Sequence, residues 1–181
     1  MESTTISAKG VMYALLPILL LQFSSLVAGV DIIFYESTSE CGGSGYSFNS
    51  IGPQICCEVS AQDGGSVLVT STTGSSEASL FYRNGGCTTQ VGSGSGNFCL
   101  EGGQFTGAYW YNARRRSLMG DSRTCNSQMK PTGVVYTEDG SKGNWILNTA
   151  EAAEMYSQMQ NVPDSEKASW LQSHGATYTQ L

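Results

Sequence analysis

Six cysteines, at positions 41, 56, 57, 87, 99 and 125, are the residues of this chain best suited to covalent chemistry. Thiols can act as nucleophiles, ligate a soft metal or pair as disulfides. No Cys-x-x-Cys occurs and the only histidine is His174, so no metal site is expected. An even number of cysteines in an exported chain reads instead as a set of disulfides. Adjacent Cys56 and Cys57 point to opposite faces if they lie on a strand, so they should bond in different directions. Equivalent loops suggest Cys41 with one of that pair and Cys87 with Cys99, the remaining member reaching Cys125, so that all six are bonded.

The other reactive groups are scattered. A Ser-His-Asp hydrolase would need His174 as its base, but that residue lies near the C-terminus and no Gly-x-Ser-x-Gly elbow is present. Glu36, Glu40, Glu58, Glu101 and Asp121 could supply the acid and base of a glycosidase, yet no spacing selects two of them. The glycine runs at 42–45 and 92–96 lack a following Lys-Ser/Thr and read as turns, not phosphate loops. The expectation is therefore no catalytic residue and no cofactor.

Binding has better candidates. Tyr109, Trp110 and Tyr111 are consecutive, so on a strand they cannot share one core, and at least one should meet solvent. An exposed ring on a rigid sheet can stack on a sugar or anchor a protein partner. Arg114, Arg115 and Arg116 follow as the only basic cluster. They read as a solvated loop, with an acidic-glycan or nucleic-acid patch and a processing site as the competing readings. The formal charge of −6 argues against nucleic acid as a partner and against docking to anionic lipid.

The elements that must position these residues are mainly strands. Of 181 residues only 13% are charged and 22 are glycine, which favours frequent turns over helices. Lys9, the apolar run from Val11 to Leu21 and the small residues Val27, Ala28 and Gly29 have the order of a secretory signal peptide. Residues 1–29 are read as that signal, with cleavage before Val30 and a secreted, extracellular product that leaves the membrane.

From Asp31 to Asn112 one pattern is written twice. Phe34-Tyr35 is followed by Cys41 and by Ile55-Cys56-Cys57, and Phe81-Tyr82 by Cys87 and by Phe98-Cys99-Leu100. The tyrosines are 47 residues apart and the first cysteines 46, which predicts two copies of one unit, about 31–71 and 78–112. Strand patterns start roughly every 8 to 13 residues, including Asp31–Glu36, Ile55–Val59, Ser66–Thr70 and Ala78–Tyr82. Gly133–Thr137 and Asn144–Leu147 form a last hairpin around Glu138-Asp139-Gly140. Residues 30–147 are thus read as a β-sandwich domain. Residues 148–181 are read as a helical C-terminal extension, its first helix capped by Asn148 with Glu151 and its second opened by Pro163. It is expected to dock on the β-domain through an aromatic and Met face, with presentation of Met155, Met159 and Trp170 to a partner as the alternative.

Phe34-Tyr35-Glu36 followed by Gly42, with Ser66 further on, resembles the Greek-key signature of the βγ-crystallins. The second copy departs from it, with Thr89 where the glycine would follow Tyr82, and the calcium motif of that family is absent. The cysteine pattern is also similar to that of small secreted cysteine-rich proteins of fungi. These likenesses cover residues 31–112 and imply a Greek-key arrangement there. With the strand spacing and the helical pattern after it, the reading is a mainly β, antiparallel Greek-key sandwich of two related units, disulfide-stabilised, with a short α-helical extension. The expected role is a non-enzymatic interaction protein at a cell wall or host surface, effector-like or defence-related, with an extracellular protein or polysaccharide as partner. A carbohydrate-binding module using the exposed aromatics, or a small glycoside hydrolase, is the alternative.

Overall fold

The computed structural model describes residues 29–70, 72, 77–113 and 125–180, so the signal-peptide reading lies, apart from Gly29, outside the described residues. Eight strands make up the duplicated region: β1 (Val30–Tyr35), β2 (Gly43–Ile51), β3 (Ile55–Glu58), β4 (Ser66–Thr70), β5 (Glu77–Arg83), β6 (Thr89–Ser95), β7 (Phe98–Leu100) and β8 (Gly107–Asn112). They are followed by β9 (Ser127–Met129), β10 (Gly133–Thr137), β11 (Gly143–Asn148), α1 (Ala152–Gln160), α2 (Asp164–Ser173) and β12 (Thr177–Gln180). The protein is a disulfide-stabilised, mainly β sandwich. One sheet has the order β12-β11-β10-β2-β1-β4-β7 and the other β6-β5-β8-β3-β9.

The connectivity follows the duplication. In each unit the fourth strand returns to lie beside the first, β4 beside β1 and β8 beside β5, which is the Greek-key path. The third strand of each unit crosses to the other sheet, so β3 pairs with β8 and β7 pairs with β4. Both Phe-Tyr pairs sit on the first strand of their unit. The period-2 pleat turns Phe34 and Phe81 into the core between the sheets and Tyr35 and Tyr82 to the outer faces. A hydroxyl clips the turn that follows in each case. Ser66 Oγ donates to Glu40 O at 2.6 Å, and Thr106 Oγ1 donates to Gly86 O at 3.1 Å while accepting from Gly85 N at 3.0 Å.

The inter-sheet core is built from Phe34, Phe48, Val67, Val69, Phe81, Phe105 and Trp110, all buried. Each such side chain contributes about 1.5–3 kcal/mol relative to exposure. The glycine run at 92–96, expected as a turn, lies mostly in strand β6 and pairs with β5. Its glycines make room for neighbours. A Cβ on Gly94 would stand 2.3 Å from the ring of Phe98, and one on Gly92 3.0 Å from Leu100.

The C-terminal segment docks on the sandwich. Tyr156 of α1 stacks on Tyr46 with centroids 4.2 Å apart, and Met159 and Leu171 are fully buried in the main core. Beyond the helices the chain adds β12 to the edge of the larger sheet, paired with β11, so this segment is more than the helical extension expected. The expected cap at Asn148 does not form, because that residue still belongs to β11. Glu151 occupies the cap position without a side-chain cap bond, and its N–H donates to Thr149 Oγ1 at 3.1 Å. Among the described residues no helix is long and apolar enough to cross a membrane.

Candidate functional site

The three consecutive aromatics divide between the faces of β8. Trp110 points into the inter-sheet core, 3% exposed, and its Nε1 donates to Ile51 O at 2.7 Å. It therefore cannot serve as a stacking platform, and the expectation that it binds is corrected: both its ring and its one donor are used by the fold. Tyr109 points outward yet is fully buried, because Tyr82 stacks on it at 5.6 Å and Cys125 packs against the same cluster. Only Tyr111 of the three is partly exposed. Arg114, Arg115, Arg116 and Asp121 lie outside the described residues.

The cysteines pair across the two units. Cys41 bonds Cys99, and Cys56 bonds Cys87, where closure within each copy was expected. Exchange of the third strands explains the difference: β7, carrying Cys99, lies in the first unit's sheet, and β3, carrying Cys56, lies in the second unit's. Each turn is thus stapled to the strand received from the other copy. Cys57 and Cys125 are free, which corrects the expectation of six bonded cysteines. Cys57 faces the inter-sheet core while Cys125 sits on the outer face of the same sheet, so the sheet itself separates them. Burial pushes the Cys57 thiol well above its ordinary range.

On that outer face the sulfurs of Cys56, Cys87 and Cys125 lie within 4.8 Å of one another. With two of the three bonded to each other, the cluster presents a thiol against a disulfide rather than three metal-ready thiolates. Burial, followed by the nearby Glu58 carboxylate, pushes Cys125 up to about 11.

A second concave site lies at the rim of the larger sheet. A cavity of about 220 Å³ is lined by Ser37, Glu40, Gly42 and Gly43 from the β1–β2 turn and by Thr137, Glu138, Asp139 and Ser141 from the β10–β11 turn. The two turns are remote in sequence and meet because β2 and β10 pair, with Thr137 opposite Gly43. Gly140 takes a φ of 73°, a conformation that costs glycine nothing, and Ser141 N donates to Glu138 O at 2.9 Å to close the turn. Beneath the floor, Thr137 Oγ1 is 3.3 Å from Tyr35 OH and 2.5 Å from Asn144 Oδ1. Desolvation raises Tyr35 to about 12 despite those hydrogen bonds, so a neutral phenol supports the site. Ser141 Oγ also lies 3.1 Å from Tyr178 OH, and the Tyr178 ring, 48% exposed, packs on Trp145 at 5.3 Å.

Sequence reasoning named Glu40 only as one of five carboxylates that no spacing selects, and named none of Glu138, Asp139 and Tyr178 as a site residue. The hairpin that carries the two acids was legible, but its approach to Glu40 depends on strand pairing across the whole domain. Tyr178 lies in a strand that no alternation of apolar residues marks. Glu36, Glu58 and Glu101 do not line this cavity; Glu36 Oε1 accepts from Gln160 Nε2 at 3.1 Å. His174 is exposed at the end of α2, its Nδ1 2.8 Å from Trp170 O, and Ser173 Oγ donates to that same carbonyl at 2.7 Å.

Comparison with curated proteins and with solved structures found no match. A comparison with family models matched residues 31–164, from β1 to the first residue of α2, to the family ARB_05566_N, described as an N-terminal domain. That match spans both Greek-key units, the last hairpin and α1, and the chain belongs to this family.

Proposed function

We propose that this is an exported, non-enzymatic interaction protein that acts at a cell wall or host surface on a βγ-crystallin-like double Greek key. The observation that carries the reading is the reciprocal stapling of the units. Each disulfide fixes one unit's turn to the strand exchanged from the other, which suits an oxidising compartment and a rigid binding scaffold. The paired Greek keys, and the Ser66 clip on the first turn, support the crystallin likeness. The cavity supports contact rather than enclosure. Its 220 Å³ falls below the ~300 Å³ at which small-molecule pockets usually begin. Glu40, Glu138 and Asp139 around it favour basic or hydroxyl-rich groups projecting from a partner surface.

Carbohydrate binding is the second reading, favoured by one observation: the exposed Tyr178 ring stands beside the acidic turn and is tied to it through Ser141. Exported protein, N-terminally sequenced and incubated with wall polysaccharides and with intact walls, tests both. The expected result is a chain beginning at Val30, wall retention weakened by Glu138→Gln with Asp139→Asn, and no release of reducing ends. Retention on a purified polysaccharide that is lost in Tyr178→Ala selects the carbohydrate reading. Reducing-end release abolished by Glu40→Gln would instead identify a glycoside hydrolase and overturn the non-enzymatic proposal.

A further inference from the structure

We propose that Cys125 is an exchange thiol for the Cys56–Cys87 disulfide, so that the three sulfurs on the outer face of the smaller sheet form one site with interchangeable pairings. The three Sγ atoms fall within 4.8 Å of one another, a reach that side-chain rotation can close. Three different segments deliver them. Cys56 comes from β3 and Cys87 from the turn after β5. Cys125 immediately precedes β9, which runs parallel to β3. Asn126 fixes the approach, its N–H donating to Gln54 O at 2.8 Å and its Nδ2 to Gln54 Oε1 at 3.0 Å.

The chemistry balances without an oxidant or a reductant. Cys125 loses its proton to solvent, and the thiolate attacks Sγ of Cys56 or Cys87. A new S–S bond forms as the old one breaks, and the displaced sulfur leaves as a thiolate that takes up a proton. One disulfide and one thiol stand on each side of the reaction. Cys57 cannot take part, because its side chain is on the opposite face of β3, inside the core.

The surroundings set the speed. Glu58 on β3 and the buried Tyr109 on β8 face Cys125, with Tyr82 of β5 and Tyr111 in the same cluster and the Cys57 thiol across the sheet. None of these is cationic, and burial with Glu58 holds the thiol protonated up to about pH 11. At neutral pH the exchange is therefore slow, and its rate should rise about tenfold per pH unit as the thiolate fraction grows.

Disulfide mapping after a pH pulse tests the assignment. Oxidised protein is held without redox reagents at neutral pH or at about pH 10, quenched in acid, and alkylated in denaturant with a maleimide. Trypsin, which cuts after Arg123 and Lys142 but not before Pro131, then isolates Cys125 as the single cysteine of peptide 124–142. At neutral pH the label should sit on Cys57 and Cys125. After the alkaline pulse a fraction of peptide 124–142 should be bonded to Cys56, in the peptide ending at Arg83 that also holds Cys41 and Cys57, or to Cys87, in peptide 84–114 that also holds Cys99. Fragmentation of the linked peptides places the sulfur, with label expected on the one released and the Cys41–Cys99 bridge intact. Cys57→Ser should leave this redistribution unchanged and Cys125→Ser should abolish it. Label that stays wholly on Cys125 at both pH values, peptide 124–142 joined to Cys57, or label spread equally onto Cys41 and Cys99 would each overturn the proposal.

Discussion

At the scale of single residues, alternation along a strand was legible but its consequence for exposure was not. That the rings at 109, 110 and 111 divide between faces follows from the pleat. Which face counts as outside depends on Tyr82 and Cys125 arriving from other segments to cover Tyr109, and no local signal carries that. Trp110 is accordingly a structural residue, and Trp110→Ala should lower the unfolding free energy by about 3–5 kcal/mol, read from urea denaturation. Trp110→Phe should cost less, about 1–3 kcal/mol, because it keeps a ring but leaves Ile51 O without its donor. The buried phenols make a second prediction. Burial, the first cause in each case, raises Tyr35 and Tyr46 from 10.0 to about 12, so the folded state holds their protons more tightly than the unfolded chain does. Stability should be complete below pH 10 and fall as the pH rises from 10 to about 12. Tyrosinate absorbance should appear together with loss of the near-ultraviolet circular dichroism. Absorbance at the ordinary value that is lost specifically in Tyr35→Phe and Tyr46→Phe, with the protein still folded, would contradict the burial.

At the scale of elements, the strands with clear apolar patterns were read correctly, including β1, β3, β4, β5 and the hairpin of β10 and β11. Strand β6 was missed because Thr89–Ser95 has almost no apolar side chain to alternate. Its strand character comes from β5 beside it, and its glycines come from Phe98 and Leu100 packing over it. A methyl group at position 94 must displace the Phe98 ring, which itself packs edge-on against Phe81 at 5.4 Å. Gly94→Ala should therefore destabilise by about 1–3 kcal/mol, although alanine is ordinarily the better strand residue. The same change at Gly140, where nothing lies within 4 Å of the added methyl, should act only through its φ of 73°. The C-terminal helices were legible as helices, and their aromatic and Met face as one that docks on the sandwich, though not which side chains reach the main core. Leu171 is fully buried there, seven residues past the end of the family match, and Leu171→Ala should cost about 2–5 kcal/mol in the same denaturation assay.

At the scale of the whole molecule, the duplication was legible and the exchange between its copies was not, since one strand pattern fits either sheet. Strand exchange decides how the cysteines act. Cys41–Cys99 closes a separation of 58 residues and Cys56–Cys87 one of 31, and a chain-entropy estimate gives each about 4 kcal/mol. Because both bridges join one unit to the other, they stabilise the exchanged arrangement rather than either copy alone. Their loss should nevertheless be unequal. In Cys41→Ser the partner Cys99 is stranded, so protein folded in an oxidising medium should keep Cys57, Cys99 and Cys125 free and lose the full contribution. In Cys56→Ser the partner Cys87 still has Cys125 within 4.8 Å, and the two should bond, leaving Cys57 as the free thiol and recovering most of the stability. Thiol titration in denaturant and denaturation midpoints read the two outcomes separately. Equal loss of stability in the two variants, with Cys87 and Cys125 both free in Cys56→Ser, would show that the third sulfur is a neighbour without chemical consequence.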